Sequence, residues 1–296
     1  MSRSGGRDAR RRSAGLTPLR QRRRRVGRTV LGVAGALLVL TGLVYAGTAL
    51  LSGSGTTPQL DASSPPPLLP GAPTVLVPPR EPPAVVAGVG YDISYPQCGR
   101  TPPTGAAFGI VGLNGGAPLR SNGCFAKQVS WARRTSGYAV YVNTAYPGVG
   151  DPVAYGRRLV DDAIERERAA GVKGVAMWWL DVEVTNAWNG TTQENATVLA
   201  AMAARLQEAG VRVGIYSSPQ QWAQIAGDWA PGLPVWNATG PGTRTTAAAS
   251  CSESFAGSTS AIVQWVERSG SRLLDHNVVC PAWRTRGGDI LDVSRR

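Results

Sequence analysis

Eight short apolar runs divide residues 87–296, with helical patterns between the early runs and almost none between the late ones. The runs cover 87–93, 108–113, 138–143, 175–183, 211–216, 233–237, 261–266 and 273–279. Their length and their Val, Ile and aromatic content predict strands. Residues 124–135 give a short helical pattern. In 153–170, Val153, Leu159, Val160, Ala163 and Ile164 face one way while Arg157, Arg158, Glu165 and Glu167 cover much of the rest. Residues 191–209 repeat that design, with Gly210 as the stop. Residues 218–226 follow a serine cap, Ser217 or Ser218, with Pro219 in the first turn. The order is five strand–helix units and then three helix-poor strands. Such alternation implies parallel pairing, and eight strands can close on themselves. The expected fold is therefore α/β, an incomplete (β/α)8 TIM-like barrel. A doubly wound open sheet ranks lower, because three strands would keep an uncovered face.

What precedes the barrel has a different composition. Residues 1–28 carry eleven arginines and one acid, Asp8, so most of the net charge of +12 sits in a basic tail expected to be cytoplasmic. Residues 29–51, "TVLGVAGALLVLTGLVYAGTALL", hold no charge; as a helix they would reach about 34 Å, enough to span a bilayer. They read as one transmembrane anchor; the competing reading is a cleaved signal, which would leave the remainder secreted. Residues 52–86 contain ten of the 22 prolines and read as a Pro-rich linker. The expected location is a plasma membrane, single-pass, with the barrel outside the cytoplasm. Residues 87–296 are nearly neutral, which argues against nucleic acid as a partner. All four cysteines, Cys98, Cys124, Cys251 and Cys280, fall in that part, as expected of two disulfides in an exported domain. Strand adjacency favours Cys98–Cys124 and Cys251–Cys280. Cys98–Cys280 stays open, because closure brings the last strand beside the first.

In barrels of this kind the active site lies at the C-terminal ends of the strands. Those ends are polar and aromatic here: Asp92, Ser94 and Tyr95 on the first, Asn114 on the second, Asn143 and Tyr146 on the third. The fourth ends in Asp181 and Glu183, the fifth in Tyr216, the sixth in Trp236 and Asn237. The last two carry Gln264, Trp265, Asp275 and Asn277. Acids, amides and flat aromatic faces around one rim suit a sugar. In "MWWLDVE" the period of two puts Trp179, Asp181 and Glu183 on one face, toward the cavity, and Trp178, Leu180 and Val182 on the other. Two crowded carboxyls raise one pKa, which glycosidic cleavage requires of its acid. Trp188, in the loop that follows, is expected to line the cleft. Tyr216, Trp236 and Trp265 read equally as barrel core or as sugar platforms, and His276 as structural.

The segments "GYDISYPQCG", "FGIVGLNGG", "WWLDVE", "VGIYSSPQQW", "VQW" and "LDHNVVC" span residues 88–280, in that order. Together they resemble glycoside hydrolase family 25, the lysozymes with a DxE motif, and most of all its exported bacterial relatives. The resemblance implies a muramidase that cuts peptidoglycan, with Glu183 as general acid. It makes Asp181 the group that orients the N-acetyl substituent or serves as second carboxylate, and Asp92 and Asp275 the other acids. It implies no metal and no cofactor. Expected substrate contacts are Tyr95, Asn114, Asn143, Trp179, Trp188, Tyr216, Trp236, Gln264 and Trp265. The alternative is a barrel that binds wall polysaccharide without cutting it.

Overall fold

The computed structural model describes residues 86–270 and 272–293. The basic tail, the expected anchor and all of the expected linker but Val86 lie outside the described residues. Among the described residues no helix is long and apolar enough to cross a membrane.

Six strands run parallel and in chain order: β1 (Val89–Ile93), β2 (Gly109–Gly112), β3 (Tyr138–Asn143), β4 (Met177–Asp181), β5 (Arg212–Ser217) and β6 (Val235–Pro241). A two-residue strand, β7 (Ser254–Phe255), pairs only with β8 (Ser258–Ser269). β8 adds in parallel to β6; β9 (Arg272–Val279) then turns back, antiparallel to both β8 and β1. The result is a closed eight-stranded mixed barrel. The reversal of β9 follows from its connection. Only two residues separate it from β8, and parallel neighbours need a crossover of a dozen residues or more.

The helices are α1 (Phe125–Ala132), α2 (Pro152–Ala169), α3 (Thr192–Glu208), α4 (Pro219–Ala226), α5 (Arg244–Ala249) and α6 (Gly287–Ile290). They follow β2 to β6 and the last strand. β1 is followed only by a 3-10 turn, Tyr95–Gln97. The loop expected after β6 contains α5. There the Thr243 hydroxyl accepts from Thr246 N, and a run of alanines has the highest helix propensity. Local chemistry starts the long helices. Asp151 accepts from Val153 N and Ala154 N ahead of α2. Thr191 and Glu194 form a capping box on α3, and Ser218 caps α4.

Two apolar layers result. Trp178, Leu180 and Val182 join the layer beneath α2, α3 and α4, with Val140, Val142 and Ile215. Met177 and Trp179 fill the barrel interior with Ile110, Ala139 and Trp236. The alternation read in "MWWLDVE" is therefore observed. Trp179 is wholly buried, its ring edge-on to Trp236 at 5.8 Å between centroids. Gly214 on β5 makes room for it: a Cβ there would lie 2.3 Å from the Trp179 ring. Val86 is also buried, and its N–H donates to Arg284 O beneath the end of β9. The chain thus enters the barrel at the floor, opposite the rim where β1 to β6 end. The cysteines pair as Cys98–Cys124 and Cys251–Cys280, with Cα atoms 5.5 and 5.4 Å apart.

Gly214→Ala should destabilise the barrel by about 1–3 kcal/mol, because the tryptophan cage has nowhere to move. A lower urea midpoint with an unchanged slope is the expected result.

Candidate functional site

The register of the sheet gathers the acids. Asp92 on β1 lies opposite Asp275 on β9, and Asn143, Asp181 and Tyr216 sit side by side on β3, β4 and β5. Because β9 is reversed, Asp275 reaches the rim from the beginning of its strand. Asp92, Asp181, Glu183 and Asp275 line one cleft of about 420 Å³. Tyr141, Tyr216, Trp236 and Gln264 form its floor and walls.

Two of the acids, Asp92 and Asp181, are held by amides. Asp92 Oδ2 accepts from Gln264 Nε2 at 2.9 Å and from Asn277 Nδ2 at 2.7 Å. Those amides are fixed in turn: Gln264 Oε1 accepts from the Tyr216 hydroxyl at 2.9 Å, and Asn277 Oδ1 from Trp236 Nε1 at 2.8 Å. Asp181 Oδ2 accepts a short bond from Asn143 Nδ2. Its backbone carbonyl accepts from Thr144 Oγ1 at 2.5 Å and Asn186 Nδ2 at 3.0 Å. Behind Glu183, Val184 N donates to Gln221 Oε1 at 2.8 Å, tying the loop to α4.

Burial sets the electrostatics. It raises the Asp92 pKa well above its usual value, the charge of Asp275 adds to this, and the bonds from Asn277 and Gln264 pull the other way. Burial and the charge of Glu183 raise Asp181 in the same manner. Glu183 is raised by burial, while its hydrogen bond with Asp181 pulls it back down. Burial also raises Asp275. Asp181 and Glu183 thus interact closely enough that each alters the other's hold on a proton. That pair can supply a proton to a leaving oxygen while neighbouring acids carry charge.

The other expected contacts divide. Tyr216, Trp236 and Gln264 line the cleft. Tyr95 is exposed, its ring packed over Gly116. Asn114 and Asn143 are buried behind Asp181, with Asn114 Oδ1 accepting from Asn143 N at 3.0 Å. Trp179 belongs to the barrel interior, below the cleft. Trp188 packs against the layer under the helices. Trp265 alternates with Gln264 and so turns outward, stacked on His276 with ring centroids 5.1 Å apart. Tyr141 was not anticipated, although it lies two residues before Asn143 and shares its face. Its hydroxyl sits over Gly112, where a Cβ would lie 2.7 Å from it. Burial and the charges of Asp181 and Asp92 push its pKa well up, so it remains a proton donor.

The sequence model described as lysozyme-like protein 1 matches residues 121–264. Over 71 residues the chain is 34% identical to a protein of Dictyostelium discoideum named probable GH family 25 lysozyme 4. That match covers 23% of this chain and 33% of the curated relative, so it spans about a third of that protein's length. The crystal structure of the CTP1L endolysin superposes with a TM-score of 0.51 at 12% identity, over 68% of this chain and 69% of that one. The spore cortex lytic enzyme SleM of Clostridium perfringens gives 0.49 at 18% identity, over 66% and 67%. In class, then, the chain is an α/β barrel that is similar to lysozyme-like proteins. The resemblance to glycoside hydrolase family 25 carried by the motifs is borne out by the matched model, the curated relative and the fold.

A buried acid with a raised pKa stabilises the fold most while protonated. The contribution of Asp92 is complete below its ordinary value of 3.8 and is lost as pH rises through the raised value. Asp92→Asn keeps an oxygen for Gln264 and Asn277 and offers Asp275 a donor. Calorimetric melting should place the variant above wild type at pH 7–8, by on the order of 1–3 kcal/mol. The gap should close toward pH 4.

Proposed function

We propose that the protein is a membrane-anchored, extracytoplasmic glycoside hydrolase that cuts the glycan of peptidoglycan, as a muramidase does, with Glu183 as general acid. The observation that carries this reading is the Asp181–Glu183 pair, two interacting carboxyls with raised pKa values in a cleft that Asp92 and Asp275 also line. The resemblance to a relative named as a lysozyme supports a glycan substrate. The uncharged stretch 29–51 and the prolines of 52–86 support an anchor with a spacer that lets the barrel reach a wall.

In the proposed reaction Glu183 passes its proton to the glycosidic oxygen as the bond from that oxygen to the anomeric carbon breaks. The positive charge developing on the sugar meets Asp181, acting as second carboxylate or as the group that aligns the substrate's N-acetyl oxygen. Water then adds to the anomeric carbon and returns a proton to Glu183. Tyr216 and Trp236 offer ring faces for the sugar, and the Tyr141 hydroxyl faces the reacting centre. A Dictyostelium relative and a near-neutral barrel are also compatible with a barrel that binds wall polysaccharide without turnover.

Incubated with purified peptidoglycan, the protein should release new reducing ends. Glu183→Gln should lower the rate by roughly 10²–10⁴-fold, the usual share of a general acid. Full activity in that variant removes Glu183 from the role. Sedimentation with cell walls, without products from wild type, establishes the binding-only alternative.

A further inference from the structure

We propose that Asn143 is a positioning residue that fixes which oxygen of Asp181 carries the proton shared with Glu183, with Asn114 holding Asn143 in place; this rests on the glycosidase reading of the cleft. The backbone of Asp181 is already pinned. Its carbonyl accepts from Thr144 N at 3.3 Å, Thr144 Oγ1 at 2.5 Å and Asn186 Nδ2 at 3.0 Å. What remains free is rotation of the carboxyl, which decides which oxygen faces Glu183.

Asn143 removes that freedom. Its Nδ2 donates to Asp181 Oδ2, and an amide N–H can only donate. A proton on Oδ2 would point at another proton, so Oδ2 stays an acceptor. Oδ1 is buried and takes no hydrogen bond from a conventional donor among the described residues. The Glu183 carboxyl interacts with that of Asp181, and Oδ1 is the oxygen that Asn143 leaves open to it. A proton exchanged between the two carboxyls therefore passes through Oδ1, and once it has moved to Glu183 it leaves Asp181 ionised with Oδ2 still held by Asn143. The reverse placement, with the amide oxygen of Asn143 against Asp181, would require the proton on Oδ2 and would turn it away from Glu183.

The positioning reaches one shell further back. Asn143 N donates to Asn114 Oδ1 at 3.0 Å, and Asn114 Nδ2 donates to Arg120 O at 3.4 Å. Asn143 and Asn114 are 7% and 2% exposed, and neither lines the cleft. This placement suits residues that act on Asp181 rather than on a sugar. The ionisable groups that face Asp181 are Glu183 beyond the end of its own strand, Asp92 on β1, Tyr141 on β3 and Tyr216 on β5. All four titrate as acids, so an ionised Asp181 depends on the Asn143 donor.

The test uses the full chain in detergent, with the side-chain carboxyls followed by carbon-13 NMR against pH beside the rate of reducing-end release. Asn143→Leu keeps the size of the side chain and removes the donor. The Asp181 midpoint should rise by about one unit, the value of one lost charge-assisted bond. kcat should fall at least tenfold with KM within about twofold. Asn143→Asp supplies a donor only while the introduced carboxyl is protonated. Its activity should approach wild type at the acidic end and collapse as pH rises.

An unmoved Asp181 midpoint in Asn143→Leu overturns the proposal. So does an equal loss in both variants at every pH, which is what a merely structural asparagine would give. If Asn143→Leu fails to fold by circular dichroism, Asn114→Ala carries the test, with a smaller rise in the same direction expected. If wild type releases no reducing ends, the glycosidase reading fails. The NMR midpoints then still decide whether Asn143 directs the proton.

Discussion

β8 pairs in parallel with β6, which leaves β9 to run backwards between β8 and β1, and the site depends on that closure. The reversed strand brings Asp275 level with Asp92 and sets Asn277 one step below, where its amide reaches Asp92. It also brings Gln264 of β8 across to the same carboxyl. A crossover helix at this point would have made β9 parallel and carried Asp275 toward the floor. The helix-poor end of the chain is therefore the part that assembles half of the acidic cluster.

Asp92 and Asp181 are held by neutral amides, whereas the ion pairs Arg157–Glu208, Arg166–Asp162 and Arg205–Asp161 lie among the helices. The distinction matters electrostatically. A guanidinium beside Asp92 or Asp181 would depress its pKa and leave the cleft without a transferable proton. An amide orients a carboxyl with a much weaker pull on its proton. Desolvation can then raise the acids, and the choice of which one keeps the proton passes to local hydrogen bonds. Pairs of this kind on the helical surface are worth little to stability, so the fold leans on its two apolar layers.

Much of this was legible in the order of residues. The eight strand runs, the four helices that follow β2 to β5 and the two faces of "MWWLDVE" all follow from period and caps, and the structure reproduces them. The aromatic contacts were harder to place. A tryptophan at a strand end can point in or out, and a strand run has no mark that says where its rim begins. Trp265 shares a strand with Gln264, but only the pairing of β8 with β9 shows that it faces His276. Trp179 and Asp181 share a face, yet they stand at different depths, and depth depends on how far each strand is staggered around the barrel. Tyr141 shares that face too, and a strict period-two reading of "YVN" would have found it. Asn114 and Asn143 were recognisable as rim residues, but their role as supports came from contacts between separate strands.

The entry of the chain at Val86 has a directional consequence. Its amide is fastened to Arg284 O at the floor, while the cleft opens at the far rim. Residue 86 and the cleft therefore occupy opposite ends of the barrel, and Val86 stands clear of anything that enters the mouth.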